Sequence, residues 1–429
     1  MVGKTKKFDK YLLTGGTIYN PIDKSSKKND ILIDNGVIVD VGKDIALEGY
    51  NAIDCSGKII CPGFLDLRSH FGEPGYEDIE SLETGSKAAL KGGYTKVCML
   101  PNTNPVIDNA ESVESLIEKS RLIDINIFPI GSITKNLDGK ELSEIGLMVK
   151  GGVVAISDAH RNVKNAQVLK NALEYCKMFE IPVINHAENI DLVNDGMSNE
   201  SFFSFKKGLP ANPFISETVG ILRDLEIANY IGARIHIPRI SSSRSVSIIK
   251  RYKDLGLLLT AEVTPHHLGL SEIELKDYNA FYKVSPPLRS SEDSDALIEG
   301  LRSGVIDCIV SDHHPSKIED KESDLLNSNF GTIGLESAFP YSNRILSQKG
   351  FSIEQVIDLF TINPSRVMNI DLGKISKNEV ADFTVINPNS DWVFEQSHIY
   401  SLSKNSCLIG KSMKGKIDFV ACKNKFHII

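Results

Sequence analysis

The sequence predicts a (β/α)8 TIM barrel joined to a small β-sandwich-like domain that both chain termini build. Three observations lead to this prediction: the length of 429 residues, a middle region in which strands alternate with helices, and two ends that contain strands without helices. A barrel uses roughly 250 residues, so the length leaves room for a smaller second domain. We assign residues 1–60 and 374–429 to the β-domain and residues 61–373 to the barrel.

Both chain ends have short apolar segments separated by turns. The segment 31–38 predicts a hairpin, because Asn35-Gly36 favours a tight two-residue turn. Chain termini often lie close together, so we expect the strands of the two ends to pair in one domain. The other strand signals of this domain lie at residues 12–14, 17–19, 381–386 and 416–421.

The middle region alternates strands with helices, as a parallel barrel requires. Its first strand is predicted at residues 58–67, an apolar run with Pro62-Gly63 inside it. A helix is expected from Leu82 to Lys91, with Ser81 as its N-cap. The remaining barrel strands are predicted at residues 96–100, 125–130, 153–158, 182–186, 234–239, 258–263 and 306–312.

Polar side chains stand at the carboxyl ends of the predicted strands. Arg68 and His70 are two residues apart, so their side chains point to the same face. In a TIM barrel the carboxyl ends of all strands meet at one mouth, so such residues are predicted to line a single pocket. They are Arg68, His70, Asn102, Asp158, His186, Arg239 and Asp312.

Composition excludes several classes of protein. A net charge of −8 argues against a general nucleic-acid binder, and no apolar run approaches the roughly 20 residues of a transmembrane helix. The apolar segment after the basic start is too short for a signal peptide. Seven cysteines are scattered singly, which favours reduced thiols. We therefore predict a cytoplasmic protein without a nucleic-acid or membrane partner.

Eight short segments form a series that points to one family. They are residues 62–67 (PGFLDL), 73–75 (EPG), 83–85 (ETG), 92–95 (GGYT), 99–105 (MLPNTNP), 260–268 (TAEVTPHHL), 286–289 (PPLR) and 311–313 (SDH). From about residue 10 to about residue 425 the chain resembles the stand-alone bacterial dihydroorotases, and through them the hydantoinases and allantoinases. Asp158 follows Ser157 where a carboxylated lysine would indicate a hydantoinase, so the likeness favours dihydroorotase.

The resemblance implies zinc-dependent hydrolysis of a ring amide, in either direction. It places metal ligands at positions 68, 70, 158, 186, 239 and 312, with Asp312 also the catalytic base and Asn102 a substrate-binding residue. His70, Asp158, His186 and Asp312 match this pattern. Arg68 and Arg239 stand where the family has histidine. Substrate positions also differ, since Gly72, Ser285 and Ser316 replace an arginine, an asparagine and a histidine.

The two arginines decide how the pocket is interpreted. A guanidinium has no lone pair for a metal, so we predict that Arg68 and Arg239 face Asp158 and Asp312 and replace the charge of the metal. No cofactor is then expected. The alternative is a single zinc on His70, His186 and Asp312. His160 and His314, close to the same mouth, are candidates for replacement ligands or are solvated loop residues.

We therefore predict a dihydroorotase homologue of pyrimidine biosynthesis that is a non-catalytic pseudoenzyme. The resemblance implies a structural partnership with aspartate carbamoyltransferase and a homodimer. The alternative function is an active hydrolase that converts N-carbamoyl-L-aspartate to dihydroorotate with one zinc, or one that acts on another cyclic amide. The charged segment 317–330 is either a cover of the pocket or a solvated surface loop.

Overall fold

The computed structural model describes residues 5–7, 10–43, 45 and 49–429. The chain starts with eight strands, most of them short and separated by tight turns. They are β1 (Thr5–Lys7), β2 (Lys10–Thr14), β3 (Thr17–Asn20), β4 (Ser25–Lys28), β5 (Asp30–Asp34), β6 (Val37–Gly42), β7 (Asn51–Asp54) and β8 (Ile59–Pro62).

Eight parallel strands follow, and each pairs with the next one in the barrel. They are β9 (Phe64–Ser69), β10 (Tyr94–Met99), β11 (Asn126–Gly131), β12 (Ala155–Ser157), β13 (Val183–Ile184), β16 (Ile235–Ile237), β17 (Leu259–Val263) and β18 (Cys308–Ile309). The strands β14 (Ser198–Asn199) and β15 (Ala211–Asn212) form a separate parallel pair.

The first and last barrel strands meet, which closes the barrel. Ser69 forms a parallel bridge with His313, and the backbone N–H of His70 donates to the His313 carbonyl at 2.9 Å. The buried Asp66 carboxylate accepts from the backbone N–H and the hydroxyl of Ser311, both at 2.7 Å. The predicted TIM barrel is therefore confirmed.

Helices connect the barrel strands and cover the outside of the barrel. They are α1 (Leu82–Lys91), α2 (Ala110–Ser120), α3 (Ile145–Lys150), α4 (Ala166–Lys177), α5 (Ile190–Val193), α6 (Phe202–Lys207), α7 (Phe214–Ile231), α8 (Ser243–Asp254), α9 (Pro265–Gly269), α10 (Ser291–Arg302), α11 (Ile318–Glu322), α12 (Ala338–Gln348), α13 (Ile353–Phe360) and α14 (Ile362–Met368). Ser81 caps α1 as predicted, since its side chain accepts from the Thr84 N–H. Within the described ranges no helix is long and apolar enough to cross a membrane.

Three C-terminal strands complete the second domain: β19 (Phe383–Val393), β20 (Ser412–Cys422) and β21 (Lys425–Ile428). They join β1, β8, β3 and β4 in a seven-stranded sheet, while β6, β5, β2 and β7 form a four-stranded sheet. Leu13 and Ile33 from the smaller sheet and Phe383 and Val385 from the larger one share a single buried core. The two chain ends therefore build one mixed-sheet domain, as expected, and its proposed boundaries stay a prediction.

The prediction of a single strand at residues 58–67 is wrong in one respect, because this segment forms two strands. β8 belongs to the sheet of the terminal domain and β9 to the barrel. Gly63 lies between them, and a Cβ atom there would stand 2.1 Å from the Thr95 hydroxyl oxygen. Pro62-Gly63 is thus the junction of the two domains, where the backbone passes too close to β10 for any side chain.

Candidate functional site

The seven polar residues predicted at strand ends all lie at the carboxyl edge of the barrel. Arg68 is in β9, and the others follow β9, β10, β12, β13, β16 and β18. All except Asn102, which is partly buried, are buried. Arg239 and Asp312 have positive φ angles of 49° and 47°, so the chain turns sharply where these strands end. The barrel topology therefore brings this set to one mouth.

Arg68 lies in the centre of this mouth with only 1% of its surface exposed. Its Nε donates to Asp312 Oδ1 at 3.1 Å, and its Nη2 donates to the Ala159 carbonyl at 3.0 Å. Burial and the neighbouring Arg239 lower the pKa of Arg68 to about 10, while Asp312 and Glu262 oppose that shift. Arg68 therefore stays a cation at neutral pH.

Arg239 contacts three groups around the same carboxylate. Its Nη1 donates to the Ser285 carbonyl at 2.6 Å and lies 3.6 Å from Asp312 Oδ2. Its Nη2 donates to His186 Nδ1 at 3.0 Å. Asp312 therefore has one oxygen against each guanidinium. Burial alone raises the pKa of Asp312, but Arg239 and Arg68 hold it well below its usual range.

Asp158 does not take part in this arginine cluster, so the expectation that the arginines face both carboxylates is wrong for this residue. Its Oδ1 accepts from the backbone N–H groups of Ile133 and Thr134 at 2.8 and 3.0 Å, and its Oδ2 accepts from the Thr134 hydroxyl at 2.6 Å. Burial raises the pKa of Asp158, and these hydrogen bonds oppose the shift. The loop after β11 supplies the hydrogen bonds that hold this carboxylate, so an arginine partner is not needed there.

Both ring nitrogens of His186 are engaged. Nδ1 accepts from Arg239, so Nε2 carries the proton and donates to Glu188 Oε2 at 2.7 Å. Burial raises the pKa of Glu188, but hydrogen bonds from His186 and Asn212 outweigh it and lower the pKa to about 2. Sequence reasoning missed Glu188, although it stands two residues after His186 in the same strand-end loop.

Three imidazoles form a second group beside the arginines. The ring of His314 lies 5.7 Å from that of His70 and 4.4 Å from that of His160, measured between centroids. Burial lowers the pKa of His70 to about 4 and that of His314 to about 3. Among the described residues, His70 Nδ1 and His160 Nε2 have no hydrogen-bond partner. These imidazoles are neutral at physiological pH.

The mouth contains two adjoining cavities. The larger has a volume of about 1130 Å³, with His186, Glu188 and Ser285 in its wall. The smaller, of about 340 Å³, is lined by His70, Asn102, His314 and Ser316 among others. Leu137, His160 and Arg161 border both cavities and divide them. Arg161, which sequence reasoning also missed, lies next to His160 and is exposed to solvent.

The residues present do not fit the zinc site that the resemblance implies. A metal ligand needs a free lone pair, and His186 has none, because Nδ1 accepts from Arg239 and Nε2 carries the proton given to Glu188. The carboxylates of Asp312 and Asp158 are already bound to protein donors. Two guanidinium groups would stand beside the metal and repel it. In the parts of the chain that the structure describes, no group of three or more His, Cys, Asp or Glu side chains is arranged to hold a metal ion.

Position 72, where the family has the substrate arginine, has no room for a side chain. The Tyr76 N–H donates to the Gly72 carbonyl at 2.7 Å, which folds the chain into a tight turn. A Cβ atom on Gly72 would lie 2.3 Å from the Tyr76 carbonyl oxygen. Tyr76 itself borders the smaller cavity, near Asn102. A side chain at position 72 therefore requires the backbone of this turn to move.

Buried polar groups below the mouth support it. His236 bonds to the Thr260 hydroxyl at 2.8 Å and to Glu262 Oε2 at 2.9 Å. The charge of Glu262 also raises the pKa of Arg68, and sequence reasoning missed this residue. His267 is held between the Thr264 hydroxyl and the Pro286 carbonyl.

Comparisons with known proteins identify the family of this chain. A family model described as dihydro-orotase-like matches residues 57–245. The chain is 36% identical to the dihydroorotase of Trichlorobacter lovleyi over 406 residues, 94% of this chain and 96% of the relative. It is 38% identical to the dihydroorotase of Caldicellulosiruptor saccharolyticus over 418 residues, which is 96% of this chain and 97% of the relative. The chain belongs to the dihydroorotase family.

Solved structures extend this family relationship at the level of the fold. The L-hydantoinase (dihydropyrimidinase) of Arthrobacter aurescens has a TM-score of 0.85 at 21% identity and covers 97% of this dihydroorotase homologue and 95% of its own chain. The dihydropyrimidinase of Brevibacillus agri has a TM-score of 0.81 at 21% identity, with 97% and 94% covered. At this identity the likeness shows the barrel and the second domain, and nothing about substrates.

Proposed function

We propose that this chain is a non-catalytic dihydroorotase homologue in which two arginines replace the metal centre. The observation that carries this proposal is the position of Asp312, which has Arg68 at 3.1 Å on one oxygen and Arg239 at 3.6 Å on the other. Family resemblance makes this aspartate a metal ligand and the catalytic base. A carboxylate held between two cations is a poor base, because both cations favour its ionised form.

The charges of the pocket support the same proposal. The charges of Asp312 and Glu262 both act on Arg68, and Arg239 lies 3.6 Å from Asp312, so the buried cations have carboxylate partners without an added cation. A divalent ion would add two positive charges to this balance, and a buried uncompensated charge is strongly unfavourable. We therefore propose that the protein functions without a cofactor.

We further propose that it acts in pyrimidine biosynthesis as a structural partner of aspartate carbamoyltransferase in the cytoplasm, as a homodimer. The family resemblance supports the pathway and the partner. The intact barrel and the closed terminal domain supply a rigid body for such a role, since the substitutions fall on the mouth and leave the fold-bearing segments in place.

An enzyme assay with added zinc tests the catalytic part of this proposal. The purified chain is incubated with a concentration series of zinc, and N-carbamoyl-L-aspartate, dihydroorotate and other cyclic amides are each supplied as substrate. We expect no turnover above that of zinc in buffer. Zinc-dependent turnover contradicts the proposal and favours the single-zinc enzyme, and turnover of another cyclic amide alone favours a changed substrate.

Sedimentation velocity tests the assembly part. The chain is mixed with the aspartate carbamoyltransferase of the same organism, and each protein is also run alone. We expect a species larger than either component, and a dimer for the chain alone. Independent sedimentation of the two proteins at micromolar concentration contradicts the partnership.

A further inference from the structure

The helix α7 has apolar residues on both of its faces. Ile221, Leu225 and Ala228 are buried against the barrel. The outer face exposes a second apolar set, here called the α7 stripe: Phe214, Ile215, Val219, Leu222 and Tyr230. A helix that is apolar all round is normally covered on all sides, so we expect the outer face of α7 to be covered as well.

The neighbouring helix α8 has the polar outer face that is usual on a barrel. Its exposed residues are Ser243, Arg244, Ser247, Lys250, Arg251 and Asp254. In α7 the corresponding outer positions are 215, 219, 222, 226 and 230, and only Glu226 among them is charged. Its carboxylate accepts a hydrogen bond from the Tyr252 hydroxyl on α8, so this charge is engaged within the same chain. The stripe therefore presents an apolar surface along the helix.

The α7 stripe forms one wall of a groove on the barrel surface. Phe214, Ile215, Val219 and Leu222 line the groove from α7, and Ile248 lines it from α8. Its volume is about 690 Å³. Single exposed apolar residues are common on proteins, but a contiguous apolar groove marks a surface that another molecule covers.

The area of this face suits a stable dimer. α7 has 18 residues and is about 27 Å long. α4 and α8 lie on either side of it, and packed helices stand about 10 Å apart. The face of these three helices thus measures about 27 by 30 Å, or about 800 Å², which is the area that a standard stable interface buries on each partner.

A second copy of the chain matches the α7 stripe, because the stripe is nearly symmetric about Leu222. Ile215 stands seven residues before Leu222, and Tyr230 stands eight residues after it. Two copies with antiparallel α7 helices bring Leu222 against its own counterpart. The same arrangement brings Tyr230, which is 81% exposed, to the groove beside Phe214 of the other copy. A two-fold axis generates such self-matching contacts.

The same axis pairs opposite charges on α8. Leu222 and Ile248 line the same groove, so α7 and α8 are level at these residues. Arg244 and Asp254 each stand five residues from position 249, so antiparallel contact at this level places Arg244 of one copy beside Asp254 of the other. Asp254 pairs with Lys250 of its own helix at 2.9 Å, and such an exposed pair is weak enough to be exchanged.

We propose that two copies of this chain associate through the outer face of α7 and its groove against α8, with a two-fold axis that crosses Leu222. The inference rests on the homodimer of the proposed function and deepens it, because it states which surface the two copies share. Tyr230 is the aromatic anchor of each copy in the groove of the other, and Leu222 is the centre of the contact.

Disulfide cross-linking tests the position of the axis. All seven cysteines of the chain are buried, so an added exposed cysteine is the reactive thiol. A disulfide needs Cα atoms within about 7 Å, which Leu222→Cys meets only at the axis. We expect mild oxidation with copper phenanthroline to give a covalent dimer of Leu222→Cys. Leu122→Cys, at a leucine 86% exposed after α2, is the control that stays monomeric on a denaturing gel. Equal cross-linking of the two variants, or none in either, overturns the proposal.

Sedimentation equilibrium tests the apolar contact. Leu222→Glu sets two carboxylates against each other at the axis, so we expect the dissociation constant of the dimer to rise at least about a hundredfold. Leu122→Glu is the matched control and is expected to stay within about twofold of the unmodified chain. Circular dichroism checks that each variant is folded, and the cross-linking experiment decides the matter if Leu222→Glu is not. A folded Leu222→Glu with an unchanged dissociation constant overturns the proposal.

A charge exchange on α8 tests the two-fold relation itself. Arg244→Asp and Asp254→Arg each bring like charges together twice per dimer, so each is expected to raise the dissociation constant about tenfold. The double variant restores opposite charges and is expected to return within about threefold of the unmodified chain. A double variant that is weakened by the product of the two single effects overturns the antiparallel arrangement, because the two residues would then act independently.

The unmodified chain separates this inference from the proposed function. A monomer at micromolar concentration contradicts the proposed homodimer and removes this surface with it. A dimer that persists in folded Leu222→Glu leaves the homodimer in place and overturns only its location on α7. If Leu222→Glu stays dimeric but no longer binds aspartate carbamoyltransferase, the face belongs to that partner, and the second copy is overturned as its occupant.

Discussion

Arg239 donates a hydrogen bond to Nδ1 of His186 at 3.0 Å, so the lone pair that a metal would need is already used. The same guanidinium lies against Asp312, which connects a second ligand position to the first. Replacing one histidine by arginine therefore removes its own lone pair and also occupies the lone pair of His186. The two substitutions thus alter four of the six ligand positions: 68, 186, 239 and 312.

The first prediction concerns the stability that Arg239 provides. Arg239→Met leaves Asp312 with one cation and His186 without its donor, and we expect a loss of about 3 kcal/mol in the free energy of unfolding. Urea unfolding followed by circular dichroism measures it. Arg344→Met is the control, because Arg344 pairs with Asp391 at the surface and is expected to cost less than about 0.5 kcal/mol. Equal losses in both variants contradict a structural role for the cluster.

The second prediction concerns restoration of metal binding. The double variant Arg68→His with Arg239→His removes both cations and returns two imidazoles, so we expect it to bind zinc when the unmodified chain does not. Isothermal titration and metal mass spectrometry after desalting measure the difference. Activity is not expected to return, because the substrate positions at 72, 285 and 316 stay changed. A double variant that stays free of zinc shows that the contacts of Asp158 with Thr134 prevent assembly of the site.

The third prediction concerns the closed turn at Gly72. Gly72→Ala places a Cβ atom 2.3 Å from the Tyr76 carbonyl oxygen, and relieving this overlap is expected to cost about 1 to 3 kcal/mol of stability. Gly42→Ala is the matched control, since among the described residues its Cβ would meet no atom nearer than 4.0 Å. Thermal unfolding of the two variants measures the difference, and an unchanged Gly72→Ala would show that the turn moves freely.

The fourth prediction concerns acid sensitivity. The pKa of Glu188 is lowered from 4.5 to about 2 in the folded chain, so the unfolded chain binds a proton first as the pH falls. Its contribution to stability is therefore complete above pH 4.5 and is lost between pH 4.5 and about 2. Glu188→Gln should flatten the fall of the unfolding free energy across this window, while exposed Glu114→Gln should not. Urea unfolding at a series of pH values gives the slopes, and parallel slopes for all three proteins contradict this.

Sequence patterns were sufficient to predict the barrel and its mouth, because the topology of a parallel barrel brings the carboxyl ends of all strands together. The alternation of strands and helices placed Arg68, His186 and Arg239 at one mouth before any side-chain direction was known. The direction of Asp158 was not predictable, because it depends on two N–H groups in the loop after β11. Glu188 was missed for a similar reason, because it stands two residues after His186 but accepts a hydrogen bond from Nε2 only since Arg239 occupies Nδ1.

The split of the predicted strand 58–67 has a similar cause. Its apolar pattern is continuous, so periodicity alone assigns one strand. The close approach of Gly63 to Thr95 is a tertiary contact, and it separates β8 from β9. Local pattern identified the buried segment correctly, and packing against β10 determined where it divides.

The contacts Glu188–His186, His186–Arg239, Arg239–Asp312 and Asp312–Arg68 run without interruption at 2.7, 3.0, 3.6 and 3.1 Å. They cross-link the ends of β13, β16, β18 and β9, the strands that a metal centre would tie together. Side chains of the protein itself supply every atom of this link. A protein that works without a metal, as proposed above, would therefore fold to the same yield whether zinc is scarce or abundant.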